Sequence, residues 1–113
     1  VISMSDLMTP WEVIEKRVRA AIEADFVIAI YNPKSVKRTE QIEKVREIAL
    51  QHRKSTTPVG VVRSVSRPDQ ELVITTLDRF TDEKIDMFTT VIIGNSQTFQ
   101  SGRFMITPRG YTL

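Results

Sequence analysis

Two short apolar runs separated by one amphipathic stretch most constrain what this chain can fold into. Phe26-Val27-Ile28-Ala29-Ile30-Tyr31, closed by Asn32-Pro33, is short and evenly apolar, and reads as a strand buried on both faces. Over residues 37–53 the pattern turns helical, with Ile42, Val45, Ile48 and Ala49 on one stripe and charges elsewhere. After the Ser55-Thr56-Thr57 loop, residues 58–65 read as a second strand. A strand, helix and strand at this spacing form a right-handed crossover, so the two strands should be parallel.

The rest of the chain extends this unit. Thr9-Pro10-Trp11-Glu12 combines a capping box with proline at the first helical position, which predicts a helix to about Glu23 with Trp11, Ile14, Val18 and Ile22 on its apolar face. Ser66-Arg67-Pro68-Asp69-Gln70 is a turn, and residues 72–76 form an antiparallel strand after it. A short helix is expected over 81–87 and a strongly apolar strand over 89–93. A polar loop over 94–102 then leads to a last strand at 103–107, giving a hairpin with a long loop. The expected fold class is α/β, a mixed sheet of about five strands flanked by helices. Following strand directions, one sheet edge should gather Tyr31-Asn32-Pro33, Arg63-Ser64-Val65, Thr89-Thr90 and Thr107-Pro108-Arg109.

Composition narrows the functional classes. A chain of 113 residues with 41% hydrophobic content suits one core and one domain. Its net charge of +2, from 16 basic and 14 acidic residues, shows no concentrated basic face, so nucleic acid is not an indicated partner. The absence of cysteine excludes disulfides, thiolate metal sites and a cysteine nucleophile, and fits a reducing compartment. No run approaches the roughly 18 to 20 apolar residues of a membrane span, which makes the cytoplasm the default expectation. Val1-Ile2-Ser3-Met4 reads as the tail of a strand or linker, so residues 1–8 are expected to be a linker and 9–113 a domain cut from a longer protein; sample trimming is the alternative.

Ligands of open α/β sheets tend to bind where strand ends diverge and leave backbone groups free. The edge just described is rich in hydroxyl, amide and guanidinium groups and poor in groups that titrate near neutrality, which suits binding better than acid–base catalysis. No catalytic residue is assigned. Thr89 and Thr90 read equally as strand formers or ligand contacts. Met87 and Phe88 read as core, or as the frame of a pocket for a flat ligand. The single histidine, His52, lies near the end of the second helix, where a cation favours the helix dipole, and no metal site is expected. Glu40, Glu43, Lys44, Arg46 and Glu47 read as a solvated face, and Asn95-Ser96 as turn residues at the opposite edge. No Gly-x-Gly-x-x-Gly, Walker A or nucleophile-elbow motif is present.

Several segments together resemble the C-terminal domain of precorrin-3B C(17)-methyltransferases and their cobalt-precorrin counterparts, within the tetrapyrrole methylases. They are residues 5–14 (Ser-Asp-Leu-Met-Thr-Pro-Trp-Glu-Val-Ile), residues 24–35 with Tyr31-Asn32-Pro33-Lys34-Ser35, residues 89–96 with Gly94-Asn95-Ser96, and Thr107-Pro108-Arg109-Gly110-Tyr111. The resemblance implies a two-domain, usually dimeric enzyme of cobalamin biosynthesis that moves a methyl group from S-adenosyl-L-methionine to carbon 17 of a precorrin, with ring contraction. It implies that the missing N-terminal domain carries the Gly-rich loop for the cofactor's methionine part. For this chain it implies cofactor contacts at Tyr31, Asn32, Pro33, Ser64, Val65, Thr89 and Thr90. The Arg63-Ser64-Val65-Ser66-Arg67 run departs from the small residues or glycine of many relatives, which bears on backbone approach at Val65. Arg63 and Arg109 are candidates for the precorrin carboxylates, by bidentate pairing.

Two other readings stay open at this level. The same fold and cofactor would serve a methylase of another tetrapyrrole, of RNA or of a modified histidine. A non-enzymatic partner-binding or dimerisation module would instead use Phe99, Phe104 and Tyr111 as an interface patch.

Overall fold

Helix α1 (Trp11–Glu23) sets Ile14, Val18 and Ile22 on one buried stripe, and helix α2 (Thr39–Leu50) does the same with Ile42, Val45, Ile48 and Ala49. Each of these isoleucines and valines contributes about 1.5–3 kcal/mol on burial, and Ala49 less. The computed structural model describes residues 2–3, 10–31, 39–64, 70–83, 85 and 88–108. The strands are β1 (Ile2–Ser3), β2 (Ile28–Tyr31), β3 (Pro58–Ser64), β4 (Gln70–Thr76), β5 (Thr89–Ile93), β6 (Phe99–Ser101) and β7 (Phe104–Ile106).

Strands β1 to β5 form one mixed sheet in the order β1-β2-β5-β3-β4, and β6 and β7 form a separate two-stranded sheet. Strands β2 and β3 are each antiparallel to β5 and therefore parallel to one another, as the crossover argument requires, with β5 inserted between them. Strand β4 returns antiparallel along β3, and β1 lies parallel to β2 at the far edge.

The two helices cover one face only. Ile28, Ile30, Val59, Val61, Val91 and Ile93 point to that face and are buried with the helix stripes, Leu77 and Phe80. Sheet pleating sends the alternate residues to the other face. There, two cross-strand rows run over four strands: Tyr31, Thr90, Val62 and Leu72, then Ala29, Ile92, Gly60 and Ile74. The expectation that β2 is buried on both faces is therefore wrong: burial alternates along it, and Phe26 and Val27 precede the strand as exposed residues. The apolar run is continuous because it joins an exposed turn to a half-buried strand.

Three further corrections follow from local geometry. Residues 103–107 are not the sheet's fifth strand, a place taken by β1; β7 pairs with β6, which the sequence reading left inside a loop. Gly102 at φ +58° and Arg103 form a turn that brings the two short strands together, and closing so small a loop costs little. The helix expected over 81–87 is a single 3-10 turn, Phe80–Asp82, ended by extended Glu83, with Phe80 and Ile85 buried around it; residues 84, 86 and 87 lie outside the described set. Pro10 has extended ψ 151° and caps α1 rather than opening it, its carbonyl accepting from Val13 N at 3.1 Å, while Thr9 of the expected capping box lies outside the described residues.

Candidate functional site

The carboxyl ends of β2 and β3 flank the start of β5 at one sheet edge. Tyr31 pairs with Thr90 and Thr90 with Val62, while Thr89 pairs with Arg63 and Arg63 with Glu71. Tyr31 is 45% exposed and Phe88, next to the start of β5, is 67% exposed, so two aromatic rings border this edge.

This edge brings together Tyr31, Arg63, Ser64, Thr89 and Thr90. Asn32, Pro33, Val65 and Arg109 lie outside the described residues. The two threonines are not equivalent. Thr89 is buried on the helix-covered face, at 1% exposure, whereas Thr90 is half-buried on the open face between Tyr31 and Val62. Arg63 is held by the Glu71 carboxylate directly across β4. Thr107 does not join this edge: its hydroxyl meets that of Thr98 at 2.7 Å, and Thr98 follows the opposite end of β5, because the β6–β7 hairpin folds back from there.

The opposite edge carries a polar clasp that sequence reasoning missed. Helix α1 ends with Phe26 N donating to Ala21 O at 3.0 Å and Asp25 N donating to Ile22 O at 3.1 Å, with Asp25 at φ +62°. This is a Schellman arrangement with aspartate where glycine is usual. The Asp25 carboxylate accepts from Ser96 N at 2.9 Å and from Ser96 Oγ at 2.5 Å, and Asn95 Nδ2 donates to Asp25 O at 3.1 Å. Arg53 then crosses the junction, donating to Phe26 O at 2.6 Å, Gly94 O at 2.7 Å, Ala21 O at 3.4 Å and Ile22 O at 3.5 Å. A guanidinium at the carbonyl end of a helix also meets the negative end of its dipole. The available signals were an arginine just past α2 and an aspartate between helix and strand.

The Ser96 hydrogen bonds hold the Asp25 carboxyl below its ordinary value of 3.8, with Arg53 adding a smaller charge attraction. A carboxyl depressed in the folded state contributes stability above its unfolded pKa, and that contribution is lost as pH falls through the folded value. Wild-type chain should therefore lose stability below about pH 4 more steeply than Asp25→Asn. Urea midpoints compared at pH 6 and pH 3 check this; parallel curves would mean that the clasp does not titrate.

An open cavity of about 360 Å³ lies beside the clasp, lined by Arg53, Thr57, Asn95, Ser96 and Thr98 among others. It is at the other end of β5 from the edge at Tyr31 and Thr89, and its guanidinium is taken up by backbone carbonyls. No helix among the described residues is long and apolar enough to cross a membrane.

Residues 1–81 match the family model described as Tetrapyrrole (Corrin/Porphyrin) Methylases. The chain belongs to the tetrapyrrole methylase family. It is 54% identical over 110 residues to the cobalt-factor III methyltransferase of Priestia megaterium, covering 97% of this chain and 20% of that protein. It is 49% identical over 112 residues to the probable cobalt-factor III C(17)-methyltransferase of Salmonella typhimurium, covering 99% of this chain and 46% of that protein. Among solved structures, the methyltransferase CobJ superposes with a TM-score of 0.85 at 36% identity, over 95% of this chain and 45% of CobJ. The cobalt precorrin-4 methyltransferase CbiF, at 22% identity and a TM-score of 0.61, shares the fold. This tetrapyrrole methylase chain thus spans about half the length, or less, of the curated relatives it matches.

Proposed function

We propose that this chain is the C-terminal domain of an S-adenosylmethionine-dependent methyltransferase that methylates carbon 17 of precorrin-3B or its cobalt-bearing counterpart, and that it supplies the adenosine side of the cofactor site. In this reading residues 1–8 lead in from a preceding domain, with Ile2–Ser3 adding strand β1 to this domain's sheet, 9–113 form the rest of the domain, the compartment is the cytoplasm, and the enzyme is a homodimer. The convergence of Tyr31, Ser64, Thr89 and Thr90 at one sheet edge carries the proposal. Relatives named for cobalt-factor III favour the cobalt-bearing substrate.

The edge fits an adenosine group. Strand ends present backbone donors and acceptors suited to the rim of a purine, and the exposed rings of Tyr31 and Phe88 suit its apolar faces. Thr90, half-buried on the face away from the helices, is then the threonine that offers its hydroxyl to a ligand, and Thr89, buried at 1% exposure, offers its backbone.

When bound, S-adenosylmethionine supplies the methyl group from a sulfonium whose leaving group departs neutral. The chain's own task is then to orient and to exclude water, which contributes on the order of 7–11 kcal/mol in the best intramolecular models. An edge whose described residues include no histidine and no cysteine suits that task. Arg63, already oriented by Glu71, meets a substrate carboxylate at the same edge, and Arg109 is a second candidate. The test is a single-turnover assay of the full-length enzyme with cobalt-factor III, read by mass spectrometry. A gain of one methyl group, slowed roughly tenfold in Thr90→Val (about 1.4 kcal/mol), supports the reading; no mass gain with either cobalt-bearing or cobalt-free substrate overturns it.

A further inference from the structure

Among the described residues, strand β4 is an unpaired sheet edge. It ends the order β1-β2-β5-β3-β4, with β3 as its one strand neighbour among the described residues, and its seven residues run Gln-Glu-Leu-Val-Ile-Thr-Thr. Exposed edges of this length are normally blunted by lysine, proline, a bulge or an inward-pointing charge, because their free backbone groups template pairing with another chain. Strand β4 has no lysine or proline, its register with β3 is unbroken from Gln70 to Thr76, and its one charged residue, Glu71, is bound to Arg63. Leu72 is nevertheless 54% exposed.

We propose that β4 pairs antiparallel with β4 of a second copy about a two-fold axis through Val73, joining the two sheets into one. This inference rests on the homodimer included in the proposed function and assigns its surface. The sequence of β4 is self-complementary in that register. Val73 faces the partner's Val73, Leu72 faces the partner's Ile74, Glu71 faces the partner's Thr75 and Gln70 the partner's Thr76, so no like charges meet. Leu72 belongs to the open-face row with Val62, Thr90 and Tyr31, and Ile74 to the row with Gly60, Ile92 and Ala29. Leu72 against the partner's Ile74 therefore extends one apolar row across eight strands and covers the exposed leucine. Cross-strand pairs of this kind are the unit of sheet stabilisation. A two-fold contact also closes on itself, so it uses up the free edge without growing a fibre.

The chain contains no cysteine, which makes single-cysteine variants direct reporters of register. Antiparallel partners sit about 4.5–5.5 Å apart between Cα atoms, within disulfide range, so oxidised Val73→Cys should run mainly as a covalent dimer while Thr75→Cys, facing Glu71, stays largely uncrosslinked. Light scattering should give twice the chain mass for wild type and the single mass for Leu72→Lys, with the same far-UV circular dichroism, since Leu72 is exposed in the single chain, and with a lower melt only by what the lost association contributed. A wild-type chain that is monomeric at tens of micromolar overturns both the dimer and its surface. A dimer that Leu72→Lys does not dissociate, or in which Thr75→Cys links as readily as Val73→Cys, overturns the β4 surface and leaves the dimer standing.

Discussion

Replacing Arg53 by alanine should lower the unfolding free energy by about 3 kcal/mol or more, read from urea denaturation at neutral pH. Arg53 is 8% exposed, and its guanidinium donates to carbonyls of the α1 terminus, of Phe26 leading into β2, and of Gly94 leaving β5. Truncation leaves those carbonyls to find water in a place built around a side chain. It also removes the cation from the end of α1, a term of up to about 2 kcal/mol in partly buried settings. Arg53→Lys should fall between the two, because an ammonium restores the charge but cannot reach three segments with one planar fork. Against a total stability of about 5–15 kcal/mol the alanine variant should be visibly destabilised at 37 °C. A change below about 1 kcal/mol would show that α1 and β5 are held by the core alone.

Gly94→Ala should cost about 1–3 kcal/mol, seen as a fall in Tm on the order of 10 °C. A Cβ at Gly94 would stand 2.7 Å from both Cβ and Cγ2 of Thr98 and 2.9 Å from the Pro58 carbonyl oxygen. That carbonyl cannot simply move away, since it accepts from Gly94 N at 2.9 Å. Thr98 is held too, by its hydrogen bonds to Asn95 and Thr107. The variant should therefore disturb the clasp and the hairpin together. Gly102→Ala is the contrasting case, because nothing lies within 4 Å of its added Cβ and only the φ of +58° resists substitution. Equal losses at the two glycines would contradict the packing argument.

Much of the scaffold was legible because periodicity reports burial. The stripes Ile14-Val18-Ile22 and Ile42-Val45-Ile48-Ala49 gave both helices, and the crossover rule gave the parallel relation of β2 and β3. The half-buried state of the sheet face away from the helices, where Met105 of β7 lies against Gly60, was not legible, because the run from Phe26 to Tyr31 looks the same whether its alternate residues are fully or partly covered. Nor was β6, whose three exposed residues become a strand only through the turn at Gly102. At the candidate site, strand directions correctly brought Tyr31, Arg63, Ser64 and Thr89-Thr90 to one edge. The opposed orientation of the two threonines follows from strand alternation alone, whereas the hold of Glu71 on Arg63 depends on a cross-strand register that turn residues did not fix. The clasp of Asp25, Arg53 and Ser96 joins residues far apart in the chain, and its local signals, an arginine past α2 and an aspartate between helix and strand, do not say that the two meet.

The central claim is that this domain provides one side of a shared cofactor site. Calorimetric titration of S-adenosylhomocysteine into this chain and into the full-length protein, with Thr90→Val in each, tests it most directly. The account predicts firm binding by the full-length protein, weaker by about tenfold (about 1.4 kcal/mol) in Thr90→Val, and binding to this chain alone that is weaker still. No heat of binding with the full-length protein, or affinity indifferent to Thr90→Val, would contradict the assignment of the Tyr31–Thr90 edge.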